Sequence, residues 1–343
     1  MPFDIVRNDI TKMAVDAIVN TANPRPVIGA GVDSRLHEAA GPNLLKARQA
    51  IGAINVGHAA MTPAYDLQAK FVIHTVGPVW LDGQHDEERL LRSCYENALQ
   101  LAVDSGCRSI AFPLISTGNY GFPKDTALQI AIAVFSEFLL EQEIQIYLVV
   151  FDRTSCKLSE QLFRSVASYI DERYVGICEK AASAAEEPRR NRRRRDAELL
   201  KAKATRASAP MVCEEIMPTG DLEAFLKKKD AGFVETLLEL IQKSGKKNSA
   251  IYKRANITKQ HFSKLINNPN ATITKPVAVA LALALELDLA QTRDLLGRAG
   301  YTLTNSSVFD LIIQYHIENK KFNVVEINVA LYAFDQPLLG AQI

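Results

Sequence analysis

Short β-branched runs alternate with helix-like patterns over the first 175 residues, and this alternation constrains the fold more than any other feature. The apolar stretches around Val72 and Ile146 are almost continuous, as in strands that are covered on both faces. Strands that alternate with helices in this way indicate an α/β layer fold with helices on both sides of the sheet. The predicted strands are Phe3–Val6, Asp16–Asn20, Gly57–Met61, Lys70–Thr75, Arg108–Leu114 and Gln145–Phe151. The predicted helices are Val32–Ala40, Asn43–Gln49, Glu87–Ser105, Lys124–Glu141 and Cys156–Arg173.

The character of the sequence changes near residue 178. The chain has 343 residues, which is more than one ordinary domain usually holds. Residues 181–210 contain almost no large apolar side chains, so they cannot bury enough surface to offset the entropy lost on ordering. We therefore expect a linker over residues 178–217, between a first domain at 1–175 and a second domain at 219–343. The arginine cluster Arg189–Arg195 suits both a solvated linker and non-specific binding of phosphates.

Helical patterns fill the second domain. Thr219–Asp221 can cap a helix that runs over Leu222 and Phe225; whether it continues to Ile241 is left open, and Gly245 ends the pattern. The run Val277–Leu287 alternates with a strand-like period of two, but alanine and leucine are the strongest helix formers, which favours a buried helix opened by Pro276. The other predicted helices are Ser249–Ala255, Thr258–Asn267, Gln291–Ala299, Ser307–Asn319 and Val324–Phe334.

Residues 248–267 have the outline of a helix-turn-helix. One helix ends near Ala255, Asn256 and Ile257 form a turn, and Thr258 is suited to cap the next helix. Over about residues 245–300 the pattern resembles phage-repressor-like (XRE-type) domains, which implies contact with DNA; protein binding or simple packing remains the alternative. The residues predicted to be exposed on the second helix, and so the candidates for DNA contact, are Lys259, Gln260, His261, Ser263 and Lys264, whereas Phe262, Leu265 and Ile266 would pack inward.

Charge and cysteine usage limit the classes of function. The formal net charge is +1, so no global field attracts the chain to nucleic acid or to a membrane. The number of cysteines is odd and none has CxxC spacing, which argues against a disulfide framework and a cysteine-rich zinc site. No apolar run is long enough to span a bilayer, and no signal peptide follows Met1. We expect a cytoplasmic protein with reduced thiols, no metal and no membrane partner; its cysteines are Cys94, Cys107, Cys156, Cys178 and Cys213.

Three segments of the first domain offer groups for binding a ligand. Asp16–Asn23 is an apolar strand that delivers Asn20 and Asn23 at its carboxyl end, where ligands of open α/β sheets bind. The alternative is that these asparagines only make turns with their own backbone. The other two segments, Ile28–Val32 and Ser116–Gly121, are glycine-containing loops that lead into helices and offer backbone N–H groups to an anion. Two such loops favour a diphosphate over a single phosphate.

The side chains beside these loops have two interpretations each. Asp33 either complements the positive end of a helix or acts on a water molecule. His37, one helical turn later, either packs in the core or acts as a base. Tyr120 and Phe122 either stack on a sugar or a base, or pack against other side chains.

Five sequence blocks in a fixed order resemble the macrodomain family of ADP-ribose-binding modules. The resemblance covers roughly residues 3–172, and it implies a three-layer α/β/α fold with a mixed central sheet, followed here by a separate all-α domain. The first domain is most similar to the MacroD-type branch. Members of that branch remove ADP-ribose from modified carboxylates and deacetylate O-acetyl-ADP-ribose, without a metal or another cofactor. The blocks are Asn8–Thr11, Asp16–Asn23, Gly31–Gly41, Phe71–Pro78 and Ile115–Pro123.

The resemblance implies a role for each matched residue. Asp9 and the backbone of Ile10 would hold the adenine, with Phe151 beside the ring. Asn23 would hold the distal ribose, and Asp33 would position or deprotonate the attacking water. The implied catalytic residues are thus Asn23 and Asp33. The implied ADP-ribose-binding residues are Asp9, Ile10, Asn20, Gly29, Ala30, Gly31, Val32, Ser116, Thr117, Gly118, Asn119, Tyr120 and Phe151.

The two domains together predict a function and an alternative. The expected partners are ADP-ribose, an ADP-ribosylated protein or O-acetyl-ADP-ribose, with DNA as a further partner of residues 219–343. The expected activity is hydrolysis of ADP-ribosyl esters. The alternative is a non-catalytic reader of ADP-ribose coupled to a DNA-binding regulator.

Overall fold

The first part of the chain forms a six-stranded mixed sheet. A computed structural model describes residues 3–150, 166, 168–170, 231–268 and 271–340. The strands are β1 (Phe3–Arg7), β2 (Val15–Thr21), β3 (Ala59–Pro63), β4 (Ala69–Thr75), β5 (Ser109–Phe112) and β6 (Gln145–Val150). Their order across the sheet is β1-β6-β5-β2-β4-β3. Strand β3 runs antiparallel to β4 and the other pairs are parallel, so the predicted mixed sheet is confirmed.

Helices cover both faces of this sheet. They are α1 (Val32–Ala40), α2 (Pro42–Ile51), α3 (Glu87–Asp104) and α4 (Lys124–Glu141). Because side chains alternate along a strand, Ile18 packs with Leu36 of α1 on one face, and its neighbour Val19 packs with Leu91 of α3 on the other. The three-layer α/β/α arrangement expected from the sequence is therefore present.

Most predicted elements of the first part match the structure within about two residues. Strand β5 is shorter than predicted and ends at Phe112, because Pro113 has no N–H with which to continue the ladder. Phe151 and the predicted linker 178–217 lie outside the described residues. So does the predicted helix Cys156–Arg173, apart from residues 166 and 168–170, which are helical.

The second part of the chain is helical throughout its described elements. These are α5 (Phe233–Ser244), α6 (Asn248–Arg254), α7 (Lys259–Ile266), α8 (Lys275–Ala284), α9 (Leu289–Arg298), α10 (Val308–Glu318) and α11 (Val324–Ala333). The predicted helix over Leu222 and Phe225 lies outside the described residues, and it does not continue unbroken to Ile241, because Gly232 is extended and the described helix α5 begins at Phe233. Gly245 ends α5 in the left-handed region, as predicted. No helix in the described ranges is long and apolar enough to cross a membrane.

The segment from α6 to α7 has the local geometry expected of a helix-turn-helix. Asn256 turns the chain with a φ of 56°, and the Thr258 hydroxyl accepts a hydrogen bond from the His261 N–H at the start of α7. Phe262 and Leu265 are buried. The predicted outer face of α7 is exposed at Lys259, Gln260, Ser263 and Lys264, and His261 is partly exposed.

The helical part packs directly against the sheet part. Helix α6 contacts α4, where the Tyr252 hydroxyl donates to Glu143 Oε1 at 3.0 Å. Helix α11 contacts both β1 and α4, and Asn323 Nδ2 lies 3.4 Å from Ser136 Oγ. One continuous apolar core therefore includes α3 and α4 on one side of the joint and α5 to α11 on the other.

Candidate active site

A cleft of about 330 Å³ lies where the parallel strands end. The ends of β2 and β6 reach it directly, and the segment after β5 forms one wall. Both predicted loops line it, in agreement with the rule that open α/β sheets bind ligands at strand carboxyl ends. Its lining is Thr21, Ala22, Asn23, Gly29, Ala30, Gly31, Val32, Gly77, Pro113, Leu114, Ile115, Ser116, Thr117, Gly118, Asn119, Tyr120, Lys124, Val149 and Val150.

The first loop presents the open end of helix α1 to the cleft. Gly31 precedes the helix with a φ of 75° and makes no side-chain cap, so the first N–H groups of α1 remain available to an anion. Ile28 and Ala30 are not among the residues with positive φ, so their side chains cause no backbone strain. The geometry of this loop suits a phosphate.

The second loop is a tight turn that starts from a strained residue. Ser116 is buried and has a φ of 63°, a region that a serine rarely adopts. The turn is closed by Phe122 N–H, which donates to the Ser116 carbonyl, and by Gly121 N–H, which donates to the Gly118 carbonyl. Phe122 is only 2% exposed and packs edge-on against Trp80, so the packing interpretation of this aromatic residue applies.

Asn23 and Tyr120 join the two loops across the cleft. The Tyr120 hydroxyl donates to Asn23 Oδ1 at 3.2 Å, and Asn23 Nδ2 donates to the Val27 carbonyl at 2.9 Å. Burial raises the pKa of Tyr120, and the nearby charge of Asp33 raises it further. The phenol therefore remains protonated at neutral pH and can serve as a donor.

Asp33 lies in the first turn of α1 but points behind the cleft rather than into it. Only 2% of the residue is exposed. Its Oδ2 accepts from the Gly29 N–H at 2.6 Å, and its Oδ1 accepts from Asn20 Nδ2 at 2.6 Å. It faces a narrow adjoining recess, too small for a water molecule, that Asn23 and His37 also line, so the two predicted catalytic residues lie side by side.

His37 and Arg48 surround the Asp33 carboxylate with positive or polar groups. His37 Nε2 lies 3.5 Å from Asp33 Oδ1. Burial and the Arg48 charge together hold the pKa of His37 below its usual value, although the Asp33 charge acts to raise it. Arg48 is itself buried and donates to the Asn23 carbonyl at 3.0 Å, which fixes the loop that carries Asn23.

Asn20, predicted to contact the ligand, is fully buried and does not line the cleft. Its side chain lies beneath Asp33 and contacts His74 Nδ1 at 3.1 Å. The structure therefore places Asn20 behind the carboxylate and not at the surface that a ligand would touch.

Asp9 and Ile10, the two predicted adenine residues that the structure describes, lie at one end of the cleft without lining it. Asp9 Oδ1 accepts from the N–H and the hydroxyl of Thr11. Asp9 thereby caps the short 3-10 helix Ile10–Lys12. Burial acts to raise the pKa of Asp9, but the Thr11 hydrogen bonds outweigh it and hold the pKa below its usual range. The preceding Asn8 N–H donates to the carbonyl of Val150, a lining residue, so this loop borders the cleft.

Comparisons with known proteins assign this region. The family model of the Macro domain matches residues 19–131. The O-acetyl-ADP-ribose deacetylase of Escherichia coli is 48% identical over 164 residues, which are 46% of this chain and 93% of that protein. The chain belongs to the macrodomain family. A Macro domain-containing protein of Methanosarcina mazei is 49% identical over 155 residues, covering 45% of this chain and 83% of that protein.

Solved macrodomain structures cover a similar share. The Oceanobacillus iheyensis macrodomain with ADP is 40% identical, with a TM-score of 0.43, and covers 44% of this chain and 84% of that one. The Trypanosoma brucei macrodomain in complex with ADP-ribose is 36% identical, with a TM-score of 0.42, and covers 45% of this chain and 65% of that one. These matches leave more than half of the chain outside the macrodomain comparison.

Nine lining residues of the macrodomain cleft were missed from the sequence, and two of them, Lys124 and Gly77, affect its charge and its shape. Lys124 starts α4 directly after the second loop and brings a cation to the cleft. Gly77 lies opposite Ser116. Lys124 directly follows the block Ile115–Pro123, and Gly77 lies inside the block Phe71–Pro78. For Lys124, the available signal was a lysine at a helix start beside an anion-binding loop.

Gly77 is required by its contact with the second loop. A Cβ at this position would lie 2.0 Å from Ser116 Oγ and 2.9 Å from a methyl group of Ile115. We expect Gly77→Ala to lower the free energy of unfolding by about 1–3 kcal/mol through overpacking, and to weaken ligand binding by displacing the loop. Gly118→Ala is the matched control, since nothing lies within 4 Å of a Cβ there. Equal unfolding midpoints in denaturant for the two variants would contradict the expectation.

Among the described residues, one group has side chains near enough to share a metal ion. The ligand atoms of Asp82, His85 and Glu87 lie within 4.8 Å of one another. The Glu87 carboxylate, however, already accepts from the backbone N–H groups of Leu81 and His85. Burial acts to raise the pKa of Glu87, but these and other backbone donors lower it to about 2. The group is therefore explained as a cap for the loop that precedes α3.

Proposed function

We propose that the macrodomain of this chain binds ADP-ribose and hydrolyses ADP-ribosyl esters, either mono-ADP-ribosylated carboxylates of proteins or O-acetyl-ADP-ribose. The observation that carries the proposal is the pair of helix-leading loops that face each other across one cleft. Two such loops together offer more backbone N–H donors than a single phosphate can accept, so the pair favours a diphosphate. The Escherichia coli relative, an O-acetyl-ADP-ribose deacetylase, supports the same class of ligand.

The two ends of the cleft suit the two ends of ADP-ribose. At one end the Asp9 loop borders Val149 and Val150, whose apolar side chains suit a purine. At the other end the Asn23–Tyr120 pair offers an amide and a phenol to a ribose. Lys124 adds a positive charge beside the second loop, between these ends, where a diphosphate would lie.

Asp33 is the group we assign to the chemistry. Hydrolysis needs a water molecule that is positioned and deprotonated next to the ester or the anomeric carbon. The Asp33 carboxylate and Asn23 border one narrow recess that has no room for a water molecule. The attacking water would therefore lie in the cleft itself, beside Asn23 at the distal ribose end. Where the water attacks the anomeric carbon, the negative charges of the phosphates and of Asp33 would also stabilise an oxocarbenium-like transition state.

Calorimetric titration with ADP-ribose, combined with release of ADP-ribose or acetate from several ester linkages, tests this proposal. We expect heat of binding and turnover from the full-length protein. Absence of heat would contradict the binding assignment. Binding without turnover on any linkage would favour the alternative, a non-catalytic reader of ADP-ribose.

We further propose that the helical part binds DNA through α7. Every charged side chain between Leu240 and Leu285 is basic. Lys259 and Lys264 are exposed on α7, and neither has an ion-pair partner among the described residues. A recognition helix with free cations on its outer face suits the major groove and its phosphates.

Duplex DNA retention by the full-length protein at several salt concentrations tests the second proposal. We expect Lys259→Gln with Lys264→Gln to weaken retention and to reduce the salt slope by about one for each phosphate that the protein no longer neutralises. The matched control is Lys320→Gln with Lys321→Gln, which removes the same charge from the exposed turn after α10. Equal retention by both double variants would contradict DNA contact through α7.

A further inference from the structure

A row of buried polar side chains lies beneath Asp33. It runs from Thr62 on β3 through His74 on β4 and Asn20 on β2 to Asp33 on α1, and no member is more than 3% exposed. Thr62 Oγ1 lies 3.0 Å from His74 Nε2, and His74 Nδ1 lies 3.1 Å from Asn20 Nδ2. Asn20 Nδ2 then donates to Asp33 Oδ1 at 2.6 Å. The row links three strands to the carboxylate assigned to catalysis.

The sheet register creates this row. Asn20 is the partner of His74 in the parallel ladder between β2 and β4, so the two side chains lie next to each other on one face. Ala60 is the partner of His74 in the ladder between β3 and β4. Thr62 is two residues beyond Ala60 and therefore points to the same face, which α1 covers.

The chemistry of the donors and acceptors fixes the role of each member. The Asp33 carboxylate can only accept, so Asn20 must turn its NH2 group towards it. The second N–H of this group then points to His74 Nδ1, which must be the acceptor nitrogen of the ring. The ring proton is therefore assigned to Nε2, from which it is donated to Thr62 Oγ1.

The histidine ring remains neutral over the physiological range. Burial lowers the pKa of His74 to about 3, and the charges of Arg48 and His37 act in the same direction. The Nδ1 lone pair is thus a permanent acceptor. Asn20 Oδ1, by contrast, has no hydrogen-bond partner among the described residues. Contacts of the NH2 side alone therefore decide which way the Asn20 amide points.

We infer that His74 is a positioning residue for the hydrolysis proposed above: through Asn20 it fixes the orientation of the Asp33 carboxylate. This inference rests on the proposed function. When Nδ1 is absent, the Asn20 amide keeps its bond to Asp33 but loses the contact that holds it from behind. The amide and the carboxylate bonded to it are then free to shift together. Asp33 would lose its fixed position relative to the cleft, while the hydrogen bonds that close the second loop would remain and, in the first loop, the Gly29 N–H bond to Asp33 would adjust.

Two substitutions of His74 separate positioning from packing. His74→Phe keeps an aromatic ring in the core but removes the Nδ1 acceptor. His74→Asn gives up the ring but can place an amide oxygen close to the Nδ1 position, where it can accept from Asn20. If His74 acts by positioning, His74→Asn should have the higher kcat of the two variants; if it acts only by packing, His74→Phe should have the higher kcat.

The measurements are kcat for ester hydrolysis, the dissociation constant for ADP-ribose and the unfolding midpoint, all on full-length protein. We expect His74→Phe to lower kcat by about 10- to 100-fold with little change in the dissociation constant, because a small displacement of a catalytic group has an effect of this size. We expect His74→Asn to keep most of kcat although its unfolding midpoint falls. Full kcat in His74→Phe, or a larger loss in His74→Asn than in His74→Phe, would overturn the inference.

Thr62→Val provides a second route if His74→Phe does not fold. Valine has nearly the shape of threonine, and it removes the acceptor that holds the ring proton on Nε2. We expect a smaller loss of kcat than in His74→Phe, again with unchanged ADP-ribose binding; unchanged kcat would count against the row. Failure of the proposed function is recognised separately, because wild-type protein would then release no product. That result would remove the positioning role together with the hydrolysis.

Discussion

Replacing Asp33 with alanine is expected to lower ester hydrolysis by about 10²–10⁴-fold, the usual contribution of one general base. Binding of ADP-ribose should remain within about tenfold of wild type, a change of less than about 1.4 kcal/mol. The physical reason is the position of Asp33 behind the cleft. It does not line the cleft, and of the loops that do, the second keeps the hydrogen bonds that close it, whereas the first loses the single bond from the Gly29 N–H to Asp33 Oδ2.

The matched control for Asp33→Ala is Glu38→Ala, which removes an exposed carboxylate from the same helix. Both variants lose one negative charge of α1, so a general electrostatic effect would lower turnover in both. Single-turnover kinetics with saturating enzyme, together with calorimetry, separates the chemical step from binding. Equal turnover in Asp33→Ala and wild type would remove Asp33 from the mechanism.

The two loops could be predicted because their information is local. Glycines, a strand before them and a helix after them stand together in the sequence, and the order of the five blocks identified the family. The side chains of Ile28 and Ala30 in the first loop are harder to judge from the sequence, because a side chain is costly there only if its backbone has a positive φ. The structure shows why they are tolerated: positive φ is needed at Gly31, which is still a glycine.

The interior of the site could be predicted only in part. Asn20 follows Ile18 by two residues, so the period of a strand already placed it on the face that packs against α1. That signal was available, and it separates Asn20 from Asn23, which lies beyond the strand end. The contacts with His74 and Thr62 depend on strand register between distant segments, and no local pattern specifies register of this kind.

The joint between the two parts of the chain has no sequence signal at all. The sequence around Asn256 predicts a turn and nothing more. In the structure its side chain is only 4% exposed and bonds to both backbone groups of Phe3, 253 residues away. Pairs this distant in sequence are invisible to periodicity and to propensity.

Asn256→Ala is expected to lower the free energy of unfolding by about 2–4 kcal/mol. The side chain accepts from the Phe3 N–H at 2.6 Å and donates to the Phe3 carbonyl at 2.9 Å, so it completes the outer edge of strand β1. Removing it leaves these buried groups unsatisfied, which costs about 1–3 kcal/mol. Alanine at a φ of 56° adds up to about 1 kcal/mol of backbone strain.

Asn267→Ala is the matched control, because Asn267 is exposed and its amide only donates to Ser263 within the same helix. We expect its unfolding midpoint to change little, since such surface substitutions are usually within about 0.5 kcal/mol. Denaturant unfolding measured by two probes, one in each part of the chain, provides the comparison.

The form of the Asn256→Ala transition matters as much as its midpoint. The sheet part and the helical part share one core in the wild-type protein, so we expect them to unfold together and to be stabilised together by ADP-ribose. Loss of Asn256 should separate the unfolding midpoints that the two probes report. ADP-ribose should then raise only the midpoint of the sheet part. A single transition in Asn256→Ala, with both probes raised equally by ADP-ribose, would mean that α4 and α11 hold the joint without the β1 edge. In that case the helical part would still respond to ligand, but through the apolar contacts of those two helices.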